Sequence, residues 1–436
     1  MDVSYEKRTL DNGLDVIVHE DHGCPIVAVN IWYHVGSKNE RPGRTGFAHL
    51  FEHLMFQGSE HHDAVYFHPL QEAGGALNGS TNADRTNYWE VVPPGAVERA
   101  LWMESDRMGY LLPALTAEKF RTQRDVVLNE RRENYENRPY GLASMALVAA
   151  HYPATHPYHW PTIGAPADLR AASLDDVREF FTTYYHPANA SLVLAGDIVV
   201  SDALRLAEHY FDEIPAGPSV APVVPPPVQA MDGHPPLVLE DRVEFPRLYL
   251  SWPSPALHAP GDAELDLLAD ILGGGASSRL HRALVHDRSI ATDVSVGQGS
   301  RELAGLFTIV ATVAPGHTLT ELDTVISVEV DRIAVDGPTD GELERARTRV
   351  ESDFVQRQQT VGGFGGKSDQ LNAYNVFVGT PGYFVSDFDR YLRADCNAIK
   401  AAATAYLMPK RRIALSVVPV GSATVALAGS TCVNAS

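Results

Sequence analysis

The segment from Gly46 to Leu54 contains His49, Glu52 and His53 in the order His-x-x-Glu-His. On an α-helix, residues four positions apart lie about 40° apart, so both imidazoles can face one metal ion. Glu52 lies about 60° from His49 on its other side, which places a carboxylate near the ion without making it a ligand. A carboxylate there can act as the general base for a zinc-activated water. The motif therefore predicts a catalytic zinc centre.

The histidine pair has one simpler alternative, an ordinary amphipathic helix that binds no metal. The apolar positions of such a helix are Phe47, Leu50, Phe51 and Leu54. They would bury the polar groups of the motif, and burying unpaired polar groups costs free energy. A bound metal ion is the more economical interpretation. We predict that the next histidines along the chain, His61, His62 and His68, lie in loops or at the surface.

A catalytic zinc ion needs a third protein ligand, because only its fourth position is kept for water. Acidic residues on or near a helix predicted over 117–134 could supply this ligand. The candidates are Glu118, Asp125, Glu130, Glu133 and Glu136. Spacing alone does not choose among them, since most helical glutamates lie on solvated surfaces.

Length, composition and charge limit the class of protein. At 436 residues the chain is too long for one compact core, which predicts at least two domains. A composition of 44% hydrophobic and 21% charged residues is typical of a soluble globular protein, and no apolar run is long enough to predict a membrane span. The net charge of −20 argues against nucleic-acid partners, which need a basic surface, and favours basic peptides.

The cysteines and the N-terminus bear on the cellular compartment. Cys24, Cys396 and Cys432 are widely spaced and form no CxxC pair, which excludes a thiolate zinc cluster and argues against a disulfide framework. The first residues contain no apolar segment typical of a signal peptide. We expect a cytoplasmic protein, with the periplasm as the alternative if a leader has been removed.

A proline-rich stretch divides the chain into two halves of similar length. Such a stretch is extended and semi-rigid, which suits a connection between two domains. We predict a zinc-binding domain over 1–214, a linker over 215–238 and a second domain over 239–436.

The two halves share the same order of predicted elements. In the first half, strands at 13–19 and 26–33 precede the motif helix, and helices at 96–110, 117–134 and 174–184 precede a strand at 190–197. The second half repeats the plan with a strand at 247–252, a helix at 263–272 and a strand at 412–418. The pattern predicts a duplicated α+β fold whose domains are mostly antiparallel sheets covered by helices. Where the first half has the motif, the second has the apolar segment Leu268–Leu272.

The motif, the segment Val126–Glu130 and the duplicated halves together resemble the insulinase/pitrilysin family of zinc metallopeptidases, the inverzincins. The likeness is strongest to mitochondrial processing peptidase β-type subunits and their short bacterial relatives. Further matches extend the resemblance over almost the whole chain. They are Gly36, Glu40, Tyr88, the segment Tyr184–Pro187 and the segment Gly273–Leu280.

The resemblance implies a function and a site. In the family the third ligand is a glutamate separated from the second histidine by seventy-six residues, and here that interval, 54–129, leads to Glu130. The implied activity is zinc-dependent hydrolysis of peptides inside a chamber, of which this chain forms half of a clam-shell. The family's peptide docks as an added strand, which implies substrate binding by Asn78, Gly79, Ser80 and Thr81. The alternative for this Gly/Asn/Ser-rich segment is a turn.

The chain departs from the family at two places. Where many relatives carry a supporting glutamate seven residues before the zinc glutamate, this chain has Gln123, which carries no charge. Where short homodimeric relatives carry an Arg and a Tyr in the second half, it has Val285 and Thr292. In those relatives the pair binds the substrate backbone and the developing oxyanion, and losing such a donor costs about a hundredfold or more in turnover. We therefore predict a heterodimer in which a homologous partner supplies the Arg/Tyr pair, with a weakly active homodimer as the alternative.

Two other functions fit the sequence less well. A non-catalytic core subunit of a larger complex would be expected to lose a zinc ligand, whereas His49, Glu52, His53 and Glu130 are all present. The segment Val361–Lys367 partly matches a phosphate-binding loop, but Val361 stands where that motif requires Gly, and a helix is predicted before it. We interpret this segment as a flexible glycine-rich loop and reject ATP binding.

Overall fold

The computed structural model describes residues 3–226 and 233–434. Its strands and helices form two compact units, each assembled from three segments of the chain. Unit 1 contains the described parts of Met1–Glu130, Trp160–Val224 and Phe354–Val385, and unit 2 those of Arg131–His159, Pro225–Asp353 and Ser386–Ser436. The domains predicted from the sequence are consecutive stretches of the chain, whereas each unit combines three separate segments. The predicted boundaries themselves remain a prediction. Within the predicted linker, 215–226 form no helix or strand, 227–232 lie outside the described residues, and a strand begins at Leu237.

Each unit contains one six-stranded sheet. The strands of sheet 1 are β1 (Glu6–Thr9), β2 (Asp15–Glu20), β3 (Val27–Tyr33), β4 (Ala76–Thr81), β5 (Thr86–Val92) and β6 (Ala190–Gly196). The strands of sheet 2 are β7 (Leu237–Asp241), β8 (Arg247–Ser254), β9 (Ala291–Ser300), β10 (Gly305–Val313), β11 (Ile413–Pro419) and β12 (Thr431–Cys432).

The two sheets have the same plan. Sheet 1 has the order β1-β2-β6-β3-β5-β4 and sheet 2 the order β12-β7-β11-β8-β10-β9. The pairs β2–β6 and β7–β11, which hold the same place in the two sheets, are parallel, β12 also runs parallel to β7, and the remaining pairs are antiparallel. The predicted duplication of a mostly antiparallel α+β unit is confirmed.

Fourteen α-helices surround the sheets in the described part of the chain. The first eight are α1 (Phe47–Leu54), α2 (Phe67–Glu72), α3 (Val97–Ala114), α4 (Ala117–Arg131), α5 (Ala143–His151), α6 (Pro166–Ala171), α7 (Leu174–Tyr184) and α8 (Val200–Phe211). The others are α9 (Asp262–Gly273), α10 (Leu319–Asp336), α11 (Asp340–Gln359), α12 (Lys367–Val378), α13 (Phe384–Arg393) and α14 (Cys396–Tyr406). Short π-helical turns follow at Arg132–Glu136 and His281–His286. None of the described helices is both long and apolar enough to cross a membrane.

Local sequence sets several of these boundaries. Helix α7 begins after Ser173, whose hydroxyl accepts the backbone N–H of Asp176 while the Asp176 carboxylate accepts the backbone N–H of Ser173. This reciprocal cap satisfies two polar groups that a helix start leaves unpaired. Strand β3 is buried along its whole length, because helices cover both faces of sheet 1. Burial on both faces explains why its sequence is a nearly continuous apolar run.

Each sheet is covered on one face by a helix from the other half of the chain. In unit 1, Leu371 and Tyr374 of α12 join a hydrophobic cluster with Ile17, Ala28 and Val193 of sheet 1. In unit 2, the small and apolar side chains of α5 pack on sheet 2. That cluster includes Ala143, Ala146 and Leu147 with Leu237, Leu239 and Leu415. The second-half helix α12 is therefore part of the unit that carries the histidine motif.

Candidate metal centre

Helix α1 carries the motif, and its first residues are held in place by their neighbours. Its N-terminal neighbour Gly46 has φ of 89°, a left-handed conformation that favours glycine. The buried carboxylate of Glu40 accepts the backbone N–H groups of Gly46 at 2.9 Å and Ala48 at 2.8 Å. A carboxyl group at this position satisfies N–H donors that a helix start leaves unpaired. Burial raises the pKa of Glu40 to about 8, although the N–H donors of Ala48, Gly46 and Phe47 oppose this shift.

The two faces of α1 have separate tasks. Phe47, Leu50, Phe51 and Leu54 are buried, as the apolar pattern predicts. The Phe51 ring stacks on Phe180 of α7 with a centroid distance of 5.5 Å. This packing fixes the rotation of the helix about its axis, so that the other face presents the polar residues of the motif together.

His49, His53 and Glu130 meet at one point. Their candidate ligand atoms all lie within 4.8 Å of one another. Oε2 of Glu130, at the end of α4, lies 3.3 Å from Nε2 of His53 and 3.7 Å from Nε2 of His49. The two rings are nearly perpendicular, with centroids 4.9 Å apart. A single carboxylate oxygen therefore faces both imidazoles.

The electrostatics of the cluster suit a metal ion. Burial, followed by the nearby His53, lowers the pKa of His49 to about 4 despite the opposing charge of Glu130. His49 is thus neutral at pH 7, the state that binds a metal. Its Nδ1 atom is buried and has no hydrogen-bond partner among the described residues. Two imidazoles and one carboxylate form a donor set of catalytic zinc, so these residues fit that ion.

Glu52 lies beside the cluster rather than within it. It does not belong to the group of side chains that could hold the ion. Burial raises the pKa of Glu52, while the Thr81 hydroxyl and the charges of His53 and Arg85 oppose the shift. A raised pKa strengthens a carboxylate as a proton acceptor. The position and the environment of Glu52 both suit a general base.

The segment predicted to dock peptide is a strand rather than a turn. Asn78, Gly79, Ser80 and Thr81 lie in β4, which is at the edge of sheet 1 and pairs with β5. Gly79 and Thr81 face the side of the sheet that carries α1, because a Cβ on Gly79 would lie 3.1 Å from the ring of Phe56, just after α1, and Thr81 lies near Glu52. Asn78 and Ser80 point to the opposite face. An edge strand beside the cluster has the geometry for strand addition, and the docking role itself remains a prediction.

The other candidate ligands lie elsewhere. Glu118 and Asp125 are exposed on α4, and Glu133 is exposed in the π-helical turn after it. Glu136 accepts a hydrogen bond from Arg131 at 3.0 Å. Among the described residues, Glu130 alone joins the two histidines in a group suited to metal binding.

The structure also shows where the neighbouring histidines lie, and where the residues that differ from the family pattern lie. His61 and His68 are exposed, and His62 is half-buried. Gln123 is buried on α4. In unit 2, Val285 packs against the hydrophobic core, and Thr292 is exposed near the start of β9, where its hydroxyl donates to Asp293.

The glycine-rich segment has no phosphate-binding geometry. The element before it is helix α11 rather than a strand. The Lys367 ammonium group donates to the Asp21 carboxylate at 2.6 Å. A phosphate-binding lysine would instead face the loop, which supports the rejection of nucleotide binding.

Two family models match this chain. Residues 15–159 match the model described as insulinase (peptidase family M16), and residues 171–350 match the peptidase M16 inactive domain. The first match contains the histidine motif and Glu130. The second covers most of the half in which Leu268–Leu272 replaces the motif.

Curated relatives carry the name zinc protease. The chain is 28% identical to zinc protease PqqE of Helicobacter pylori over 362 residues, which are 82% of this chain and 80% of that protein. It is 24% identical to the uncharacterized zinc protease YmxG of Bacillus subtilis over 80% of this chain and 83% of the relative.

Solved structures share the fold. A protease from Helicobacter pylori superposes with a TM-score of 0.87 and 25% identity, covering 96% of this chain and all of the other. The periplasmic protease PqqL of Escherichia coli superposes with a TM-score of 0.78 and 16% identity over 95% of this chain and 47% of that chain. At that identity the second likeness concerns the fold alone.

Proposed function

Because the chain belongs to the insulinase family, peptidase family M16, we propose that it is a zinc-dependent endopeptidase that hydrolyses peptides or unfolded segments. The observation that carries this proposal is the meeting of His49, His53 and Glu130 with Glu52 beside them. These residues come from two helices distant in the sequence. A structural role alone gives no reason to bring two imidazoles and a carboxylate together around one point.

His49, His53 and Glu130 hold the zinc ion in this proposal. When bound, zinc supplies positive charge that polarises the peptide carbonyl and makes a water molecule more acidic. Glu52 accepts the proton of the attacking water and then gives it to the leaving amine. Thr81 orients the Glu52 carboxylate through its hydroxyl.

The peptide adds to β4 by backbone hydrogen bonds. Such pairing is largely independent of side chains, which accounts for acceptance of varied sequences. Because side chains alternate along a strand, successive residues of the peptide face the metal centre and the opposite side of the sheet. The net charge of −20 favours basic peptides.

We further propose that the chain is the zinc-bearing subunit of a heterodimer. Two observations support this. Val285 packs against the hydrophobic core and has no donor, and the short Thr292 hydroxyl donates to Asp293, so neither stands in for the family's Arg/Tyr pair. A homologous partner subunit would supply that pair. A non-catalytic core subunit is the alternative function, and the complete ligand set argues against it.

The test is hydrolysis of a mixed fluorogenic peptide library by the purified chain, with bound zinc quantified in the same sample. Turnover that disappears with chelator and in Glu52→Gln is expected once the partner is present. Full activity of the chain alone would reject the heterodimer and retain the peptidase. A protein that binds no zinc would reject the peptidase and favour the structural subunit.

A further inference from the structure

The glycine-rich segment Val361–Gly366 is seated on sheet 1, which corrects the expectation of a flexible loop. A Cβ on Gly362 would lie 2.5 Å from Cγ2 of Val91 and 2.6 Å from Cβ of Ala28, so only glycine permits this approach. The Phe364 ring packs edge-on against Trp89 with a centroid distance of 5.5 Å. The segment delivers the start of α12 to the sheet face opposite α1.

The first turn of α12 places a buried carboxylate on that face. Asp369 is 8% exposed. Its Oδ1 accepts hydrogen bonds from Nε1 of Trp32 at 2.9 Å and from Nδ2 of Asn87 at 3.2 Å. Its Oδ2 accepts the backbone N–H of Gly365 at 2.8 Å. The carboxylate therefore ties the loop to β3 and β5, and its acceptors are used on both sides.

The same groups reach the edge strand. Oγ of Ser80 in β4 donates to Oδ1 of Asn87 at 2.7 Å. Nη1 of Arg85 donates to the Ser80 carbonyl at 2.8 Å and to its Oγ at 2.5 Å. The guanidinium group lies 5.0 Å from the centroid of the Trp32 ring, within the range of a cation–π contact. We call Asp369, Trp32, Asn87, Ser80 and Arg85 the Asp369–Arg85 network.

This network acts on the strand that the proposed function uses. Within the described sheet, strand β4 pairs with β5 on one side and has no neighbouring strand on the other. The order of β4 therefore depends on its pairing with β5 and on side-chain contacts. A docking strand that is ordered before the peptide arrives loses less conformational entropy on binding. The Asp369 carboxylate, which α12 holds in place and which accepts several hydrogen bonds, supplies such order.

We propose that Asp369 and Arg85 are positioning residues that pre-organise β4 for peptide docking. This inference rests on the proposed function. It assigns a role to the second half of the chain, because α12 and its glycine-rich segment hold the peptide-binding edge from the opposite face of the sheet. Neither residue touches the substrate in this proposal, and both act through Ser80 and the backbone of β4.

The principal variant is Asp369→Asn, which keeps the size of the side chain. An amide has one acceptor atom, so it would turn an N–H group either toward Gly365 N–H or toward the donors of Trp32 and Asn87. We expect amide hydrogen exchange in 76–81 to accelerate about tenfold and KM for peptide to rise about tenfold, with kcat within about twofold. Arg85→Gln, in the hairpin between β4 and β5, tests the same strand through a separate contact with Ser80.

Asn375→Ala is the matched control, since it lies on the same helix and the same sheet. Its amide donates to Oδ2 of Asp15 and to Oγ of Ser191, both at 2.9 Å, and accepts from Lys7 at 2.7 Å. The Asn375→Ala substitution thus weakens the packing of α12 on sheet 1 at the side away from β4. We expect its exchange in 76–81 and its KM to match the wild type, with thermal stability reduced as in Asp369→Asn.

The outcomes separate this proposal from the proposed function. Unchanged exchange in 76–81 in both Asp369→Asn and Arg85→Gln would overturn it. Equal acceleration in Asn375→Ala would also overturn it, because the effect would then come from loosening α12 as a whole. Hydrogen exchange needs no turnover, so it decides the positioning role even if the wild-type chain, alone or with a partner, hydrolyses no peptide and the proposed function fails.

Discussion

Nε2 of His53 lies 3.3 Å from Oε2 of Glu130, although the two residues belong to different helices. The same oxygen lies 3.7 Å from Nε2 of His49. Helix α1 is held from its start by Glu40, which fixes the helix that carries both histidines. Changes at the site and changes at its supports can therefore be tested separately.

Replacing the base should separate zinc binding from turnover. Glu52→Gln keeps the shape of the side chain and removes its ability to accept a proton. We expect zinc content to remain at the wild-type level and turnover to fall by about a hundredfold or more. The measurement is peptide hydrolysis with metal analysis of the same sample. Near-native activity in this variant would exclude Glu52 as the general base.

Replacing the carboxylate ligand should act on zinc affinity. Residues that merely support metal ligands change affinity by about 10–100-fold, so Glu130→Gln should lower it by at least that much. Glu118→Gln, an exposed glutamate on the same helix, is the control and should bind zinc normally. Competition with a chromophoric chelator measures both. Equal affinities would remove Glu130 from the ligand set.

Gly164 packs so closely against the start of α1 that a larger residue should not fit there. This residue has φ of 74°, and a Cβ on it would lie 2.4 Å from Cα of Gly46. Gly164→Ala should destabilise the protein by about 1–3 kcal/mol and weaken zinc binding, because it displaces the helix that carries both histidines. Gly95→Ala is the control, since nothing lies within 4 Å of its Cβ position. Urea unfolding of both variants gives the comparison, and a loss of equal size at Gly95 would refute the steric argument.

Glu40 should make stability depend on pH near neutrality. Burial raises its pKa from 4.5 to about 8, so the folded protein retains a proton that the unfolded chain releases. The free energy of unfolding should therefore fall as pH rises from about 4.5 to about 8. Glu40→Gln should flatten this part of the profile measured by urea unfolding.

Glu342 provides the control with the opposite sign. Burial raises the pKa of Glu342, but the interactions with Arg279 and Thr339 together have the larger effect and lower this pKa to about 2. Its contribution is present above about 4.5 and is lost as pH falls toward about 2. Glu342→Gln should therefore lower stability throughout the range above about 4.5 without changing the slope of the profile there, and should remove the fall between about 4.5 and about 2. A wild-type profile that rises between pH 5 and 8 would contradict the assignment to Glu40.

Local patterns predicted most elements because their causes are local. Helix α7 has the predicted bounds, 174–184, since Ser173 and Asp176 define its start. His49, Glu52 and His53 were found because helical periodicity places them on one face. Glu130 could not be chosen from periodicity, which does not show what a helix packs against; the family resemblance supplied it.

The covering of sheet 1 by α12 was not predicted, and its chemistry explains why. The helix faces the sheet with several polar residues, including Asp369, Asn372 and Asn375, so it lacks the apolar stripe that marks a core helix. Arg85 was missed for a related reason, because its partners are a backbone carbonyl and a ring brought together by the hairpin. Such contacts leave no periodic signal in the sequence.

The exchange of α5 and α12 between the halves bears on how the gene could be divided. A fragment ending at the proline-rich stretch would contain every zinc ligand, yet Ile17, Ala28 and Val193 of its sheet would lose their cover of Leu371 and Tyr374. The complementary fragment would lack α5 over sheet 2. We expect each such polypeptide, made alone, to expose an apolar sheet face to water, and the two to fold better when they are synthesised together.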